Sequence, residues 1–328
     1  MFQIDKIVSC GDLIHGRKKP VTSTILGTLL EAEAYSRKAP FHLDTEYLSS
    51  ESKDYFESML SQLHCDAPPI SLFQFSNATV VGQGTVILAD GSLVHDSAAE
   101  FLSHQQVPHG VHGTLDNMVL NERGVEINGV TILVKRPWYR NFGHYLVDLM
   151  PILPSLCDAG VEVDNIIYGD VPPGALREIM LRCTESYFPA VNVIFSDDEN
   201  PLNVKHLLYV QPVHVPPLMK HPIALRYTKD VSIQLFGDDS TPKFDCRRLY
   251  LSRQKVSSRH ILNNEELEEY LSSQGFFIFY PEEFSFGEQI AAFQRAEVIV
   301  GAKGAAFTNL IFCSQNAHAL LFFFFFFH

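Results

Sequence analysis

The spacing of apolar and polar residues changes character along the chain, and the predicted structure changes with it. Thr22 to Ser36 and Ser50 to His64 carry helical spacing, the second with Tyr55, Met59 and Leu63 four apart. They predict a helical preface over residues 1–79. From Val80 the pattern becomes one of short strands. Thr85 to Leu88 and Ser92 to Val94 flank Asp90-Gly91, and Gly124 to Ile127 and Val130 to Val134 flank Asn128-Gly129. Each set predicts a β-hairpin, because such turn pairs tolerate the positive φ of a tight connection. A helix is expected over Phe142 to Leu149. Strands at Asn165 to Tyr168, Val191 to Phe195 and His206 to Val210, with a helix at Pro173 to Cys183, then predict βαβ units and a parallel sheet.

Gln211 to Pro217 reads as a crossing between domains, followed by a helix from about Ile223 to Leu235, and Gly237 to Pro242 marks a second boundary. Beyond it come a strand at Leu249 to Leu251, a helix capped by Asn263 or Asn264 and ended by Gly275, and a strand at Phe276 to Phe279. Ser285-Phe286-Gly287-Glu288 is a capping box, and Phe286, Ile290 and Phe293 share one face of the helix it opens. A last strand, Glu297 to Val300, runs into Gly301. The predicted fold class is α/β, with a helical preface at 1–79, an α/β domain at 80–236 and a second at 237–328.

The length of 328 residues fits two domains, since single cores stop growing near about 250–300 residues. A formal net charge of -13 argues against a nucleic-acid partner or an anionic membrane surface, both of which need basic fields. Six scattered cysteines with no C-x-x-C pair suit reduced thiols, and Met1 to Lys19 has no apolar core of signal-peptide length. With no apolar stretch long enough to span a bilayer, a cytoplasmic location without a transmembrane segment is expected, and peripheral membrane association stays open. Asn77-Ala78-Thr79 is a glycosylation sequon, read as incidental in that setting.

Against that acidic background, Arg247 to His260 holds four arginines, one lysine and no acid. The expected strand at 249–251 places Arg253 and Arg259 in the loop at its C-terminal end, where open α/β sheets bind ligands, and the guanidinium fork suits phosphate oxygens. The alternative is a solvated basic surface. Gly301-Ala302-Lys303-Gly304-Ala305-Ala306-Phe307-Thr308-Asn309 follows a buried strand and reads as a tight loop opening a helix. Such a loop is either an ordinary turn or an anion site built from close backbone approach, a helix N-terminus and the charge of Lys303. Both loops should leave the same edge of one parallel sheet. Upstream, His144 and Asp148 lie at i and i+4 of the expected helix, an arrangement for acid/base chemistry or for a structural histidine. Asp197-Asp198-Glu199 reads as a solvated turn, although adjacent acids are also a metal-site pattern.

Four stretches in order, N-F-G-H-Y-L-V-D-L-M-P at 141–151, Y-L-S-R-Q-K-V-S-S-R-H-I-L-N-N-E-E-L at 250–267, F-S-F-G-E-Q at 284–289 and A-E-V-I-V-G-A-K-G-A-A-F-T-N at 296–309, resemble glycosyltransferase family 61. The resemblance spans roughly residues 80–313. That family includes plant xylan-decorating enzymes, animal protein O-glycan transferases and bacterial proteins of capsular polysaccharide synthesis. The resemblance implies a GT-B-like architecture of two Rossmann-like domains facing across a cleft, with inversion at the anomeric carbon and neither metal nor cofactor required. It implies a UDP- or GDP-linked sugar donor on the C-terminal domain and a glycan acceptor on the N-terminal one. His144 or Asp148 would take the acceptor proton, His144 being favoured because an unperturbed Asp is a weak base at neutral pH. Asn141 and Gly143 would line the acceptor side. Arg253, Arg259, Gly301, Lys303, Gly304, Thr308 and Asn309 would meet the donor phosphates.

Three departures qualify the resemblance. Lys303 stands where the family usually has histidine, Asp148 where it usually has glutamate, and the chain carries only Ser314 to His328, without an acid, after the Asn309 helix. Phe322 to Phe327 is a run of six phenylalanines before the final His328, an aggregation hazard if exposed and the mark expected of a truncated or frame-shifted C-terminus. A catalytically inactive nucleotide- or anion-binding protein is therefore the alternative function.

Overall fold

The computed structural model describes residues 2–4, 6–18, 20, 22–41, 49–120, 124–215, 219–237, 244, 246–254 and 261–322. The chain divides into two units, one of Met1–Glu33 with Asp66–Tyr227 and one of Ala34–Cys65 with Thr228–His328. Both are mixed α/β with parallel strands. No helix among the described residues is long and apolar enough to cross a membrane.

The first unit is built on a nine-stranded sheet. Its parallel part runs Asn192–Ser196, Asn165–Gly169, Val125–Val134, Leu202–Val210. Helix Ala175–Tyr187 makes one crossover, and the helical turns from Phe142 to Asp158 make another. The twelve-residue strand Ile70–Val81 then pairs antiparallel with Leu202–Val210, and carries Thr85–Ile87 and Ser23–Leu30 on its other edge. Phe73, Phe75, Val80, Leu133, Ile167, Leu207 and Tyr209 form one continuous buried cluster along these strands.

Two expectations fail here, each because a partner distant in sequence decides the outcome. Thr22 to Ser36 is not a helix; the strands Ser23–Leu30 and Glu33–Ser36 occupy it. Its Thr and Ile content favours an extended chain, and the long neighbour Ile70–Val81 supplies the ladder that decides between the two. The helix Ser50–Ser61 does form. Asn128-Gly129 is not a hairpin turn. Val125–Val134 is one strand, parallel to Leu202–Val210 on both sides of a bulge between Ile127 and Val130. Gly129 takes φ +86° there, and Val130 N–H donates to Asp164 Oδ2 at 2.7 Å in place of a ladder bond. A Cβ at position 129 would sit 2.7 Å from that same carboxylate. Gly129→Ala should therefore destabilise the protein by more than about 1 kcal/mol in urea denaturation, through both the positive φ and the lost hydrogen bond. By contrast Asp90-Gly91 does make the expected hairpin, with Ile87 opposite Leu93.

At the C-terminal ends of the parallel strands a buried lysine joins two of them. Lys135, with its side chain 1% exposed, donates to the carbonyls of Ser196 (3.1 Å) and Asp197 (2.6 Å) and pairs with Asp198 at 3.0 Å. Burial pushes its pKa down while Asp198 opposes that shift. Asp197 in turn accepts from the N–H groups of Glu199 and Asn200, so the acidic stretch is the expected turn, with the carboxylates of Asp197 and Asp198 engaged.

The second unit holds a four-stranded parallel sheet in the order Phe277–Phe279, Arg248–Leu251, Val298–Ala302, His318–Phe322. The helices Asn264–Ser273 and Phe286–Arg295 connect its strands. The Ser285–Glu288 capping box is present, and Phe286, Ile290 and Phe293 are buried beneath it. Asn263 occupies the N-cap of the other helix without a side-chain bond, and Gly275 follows its end at φ +80°. Phe322 lies at the end of the last strand and packs on the core of Tyr250, Leu271 and Val300. The rest of the phenylalanine run and His328 lie outside the described residues.

Candidate active site

Two clusters bring together most of the residues singled out by sequence, one in each unit. In the first unit the strand Val125–Val134 leads into a turn closed by Tyr139 N–H to Arg136 O (3.1 Å) and Asn141 N–H to Trp138 O (2.8 Å). Asn141 then caps a short helix, its Oδ1 accepting from Gly143 N–H at 2.9 Å and His144 N–H at 3.3 Å. Asn141 and buried Gly143 thus shape the start of the helix. The next residues, Tyr145–Leu149, form a π turn that Met150 N–H closes onto Tyr145 O at 2.8 Å. Such turns recur at functional sites because they re-aim side chains. Tyr145, Leu146 and Leu149 face inward, which leaves His144 and Asp148 on the other side.

His144 Nδ1 lies 3.1 Å from Asp148 Oδ2, with the imidazole half exposed and the carboxylate largely covered. Lys220 Nζ pairs with the other oxygen, Oδ1. Burial pushes the Asp148 carboxyl up, and the hydrogen bond from His144 together with the Lys220 charge outweighs it, holding the group below the ordinary carboxylate value. An ionised carboxylate can only accept. The proton between the two side chains therefore belongs to Nδ1, and whenever the ring is neutral its lone pair is on Nε2. That is the tautomer a general base requires.

Lys220 lies 72 positions from Asp148, next to a Pro-rich stretch with no spacing signal of its own, so the sequence could not join the two. Its contribution to stability follows the charge of Asp148. The depressed carboxyl stabilises the fold above the unfolded pKa of about 4 and loses that contribution as pH falls through the folded value. Lys220→Met should cost about 1.5–3 kcal/mol in urea denaturation at neutral pH, and the difference from the unmodified protein should disappear as the pH falls through the depressed folded value of Asp148. An unchanged difference at acid pH would mean that the loss comes from packing of the lysine stem.

In the second unit Leu251 is in register with Phe279 on one side and Gly301 on the other. The arginine and glycine loops therefore leave the same edge of the sheet side by side, as expected. The contact between them is close. A Cβ on residue 304 would lie 2.1 Å from Arg253 Nη1, so the guanidinium occupies the space that glycine leaves. Gly304 is extended, at φ -172°, and its lack of a side chain, not an unusual φ, is what the site uses. Gly301 ends in the strand against Leu251, where a Cβ would meet Leu251 O at 2.8 Å. Lys303 is exposed, and its N–H donates to Phe322 O at 2.9 Å.

The helix expected after the loop is present as the 3-10 helix Ala305–Phe312, with no side-chain cap, and its poorer alignment makes a weaker dipole than an α-helix would. Thr308 is half-buried on it. Asn309 is fully buried and donates from Nδ2 to Gln289 Oε1 at 2.8 Å, so it supports the loop from behind. Arg259 lies outside the described residues.

Behind Arg253 is a polar network that sequence reading missed. Glu268 Oε1 accepts from Ser252 Oγ (2.5 Å) and Asn264 Nδ2 (2.7 Å), its Oε2 accepts from Tyr280 OH (2.9 Å), and Tyr250 OH donates to Asn264 Oδ1 (2.6 Å). Burial, with Glu268 nearby, pushes the Tyr250 phenol up to about 12, which keeps it a donor. The usable signal was Asn264 and Glu268 at i and i+4 of one helix. A cavity of about 240 Å³ lies against this loop, lined by Arg253, Gln254, Asn263, Asn264 and Glu265 among others. No group of three His, Cys, Asp or Glu side chains is disposed to hold a metal among the described residues.

Comparison with known proteins places the chain in a family. The family model described as Glycosyltransferase 61 matches residues 142–320, more than half of the chain and a span that holds both clusters. No curated protein matches the chain. The chain belongs to glycosyltransferase family 61.

Proposed function

We propose that the protein is an inverting glycosyltransferase that moves a sugar from a UDP- or GDP-linked donor to a glycan hydroxyl without a metal, in surface or capsular polysaccharide synthesis. The fold we assign is GT-B-like, two Rossmann-like domains, with the acceptor met in the domain at 80–236 and the donor held in the domain at 237–328. The observation that carries the reading is the His144 imidazole held at Nδ1 by an ionised Asp148. Nε2 takes the proton of the acceptor hydroxyl as its oxygen attacks the anomeric carbon. The bond from that carbon to the nucleoside diphosphate breaks, the electron pair leaves with the diphosphate, and Arg253 and Lys303 meet the growing charge. A single displacement of this kind inverts the anomeric centre.

The test is incubation with a panel of UDP- and GDP-sugars and glycan acceptors in EDTA, reading nucleotide release and the anomeric configuration of the product by NMR. Inverted product in EDTA is expected. Retained configuration, or activity abolished by the chelator, would overturn the mechanism. Lys303 in place of the family's usual histidine favours a second reading, a protein that binds the nucleotide without turnover. Calorimetric binding of a nucleotide sugar with none consumed would establish it.

A further inference from the structure

Trp138 is the chain's single tryptophan, and its conformation needs a cause. Its backbone stands at φ +66°, in the left-handed region where a bulky L-residue is strained. Burial does not compensate, because the residue remains 57% exposed. A large aromatic held in a costly conformation and left in solvent points to a role outside the core.

Its position is fixed from both sides. Trp138 N–H donates to Gln83 Oε1 at 3.3 Å, and its carbonyl accepts from Asn141 N–H at 2.8 Å. Asn141 is the residue whose side chain caps the backbone of Gly143 and His144. Two hydrogen-bonded steps thus tie Trp138 to the candidate base. They lie six positions apart, so their Cα atoms are at most about 20 Å apart and closer along a turn.

A cavity of about 380 Å³ opens beside the indole, lined by Trp138, Phe101, His104, His109, Gln83 and Gln106, with Glu100 and Pro137 completing it. Phe101 meets the His109 ring edge-on at 5.3 Å, which holds both walls. The lining carries amides, imidazoles and one carboxylate, with no lysine or arginine among the described residues. A phosphate finds no permanent cation in that lining, and Glu100 opposes it. A neutral sugar ring finds what it needs, since its C–H face can cover an indole while amides and imidazoles exchange hydrogen bonds with its hydroxyls.

We propose that this cavity is a subsite for a sugar ring of the acceptor glycan, stacked on Trp138 and set back along the glycan from the ring whose hydroxyl meets His144. The inference rests on the glycosyl-transfer reading for its biological role, and its test does not. As the only tryptophan, Trp138 reports on its own surroundings. Titration of the unmodified protein with neutral hexose, N-acetylhexosamine and pentose oligosaccharides of increasing length should give a saturable change in tryptophan emission for at least one series, and UDP or GDP alone should give none.

Trp138→Gly removes the indole and accepts the positive φ without strain, so the fold is expected to survive, as urea denaturation will check. It should raise the acceptor KM about tenfold with kcat at saturating acceptor within about threefold, and Trp138→Phe should recover part of that loss. Emission unmoved by every oligosaccharide, emission moved by nucleotide alone, or an unchanged acceptor KM in Trp138→Gly would each overturn the subsite. If oligosaccharides move the emission and no nucleotide sugar is consumed, the subsite stands and the transferase reading falls.

Discussion

His144→Ala should lower the rate of sugar transfer about a hundred- to ten-thousand-fold at saturating donor and acceptor, with donor affinity unchanged. The imidazole is half exposed and, among the described residues, bonds through its side chain to Asp148, so its removal should leave the fold intact, and the loss should appear in kcat. Asp148→Asn separates the two roles in the pair. An amide at position 148 can donate to Nδ1, which moves the ring proton to Nε2 and leaves no lone pair toward the acceptor. That variant should lose activity by a factor comparable to His144→Ala while His144 remains in place. Initial rates over a range of pH, with stability followed in parallel, distinguish these outcomes from unfolding. If His144→Ala transfers sugar within about threefold of the unmodified protein, the base lies elsewhere and the tautomer argument fails.

What the sequence could reveal depended on how local the deciding physics was. The capping box at Ser285–Glu288 and the hairpin at Asp90-Gly91 are settled within a few residues, and both are present. Asn128-Gly129 carries the same signal as a hairpin turn, yet its outcome was set by Asp164 and Leu202–Val210, far along the chain, which turned it into a bulge. Ser23–Leu30 became a strand for the same reason, through the ladder offered by Ile70–Val81. The site follows this division. His144 and Asp148 share one helical stretch and were legible as a pair, and Arg253 and Gly301 were legible because two parallel strands must end on one edge. Lys220 completes the first cluster from the remote short strand Met219–Lys220, and the seating of Arg253 over Gly304 requires a packing distance that no spacing encodes.

That seating yields the second large effect. Arg253→Ala should reduce kcat/KM for the donor about 10²- to 10³-fold, the loss expected when one preorganised group facing developing charge is removed. Gly304→Ala should do nearly the same without touching the arginine. Residue 304 is extended at φ -172°, so alanine fits its backbone, and the atoms nearest the new methyl are Nη1 and Cζ of Arg253, with the Ala302 carbonyl more distant at 3.8 Å. The guanidinium is the flexible partner and must move. Stability should therefore change by less than about 1 kcal/mol while donor turnover falls. The double variant tests whether both act through one group. If the guanidinium works from its place over Gly304, Arg253→Ala with Gly304→Ala should be no worse than Arg253→Ala alone, because displacing an absent side chain costs nothing. Losses that multiply would show that position 304 meets the donor directly and that Arg253 acts from another place.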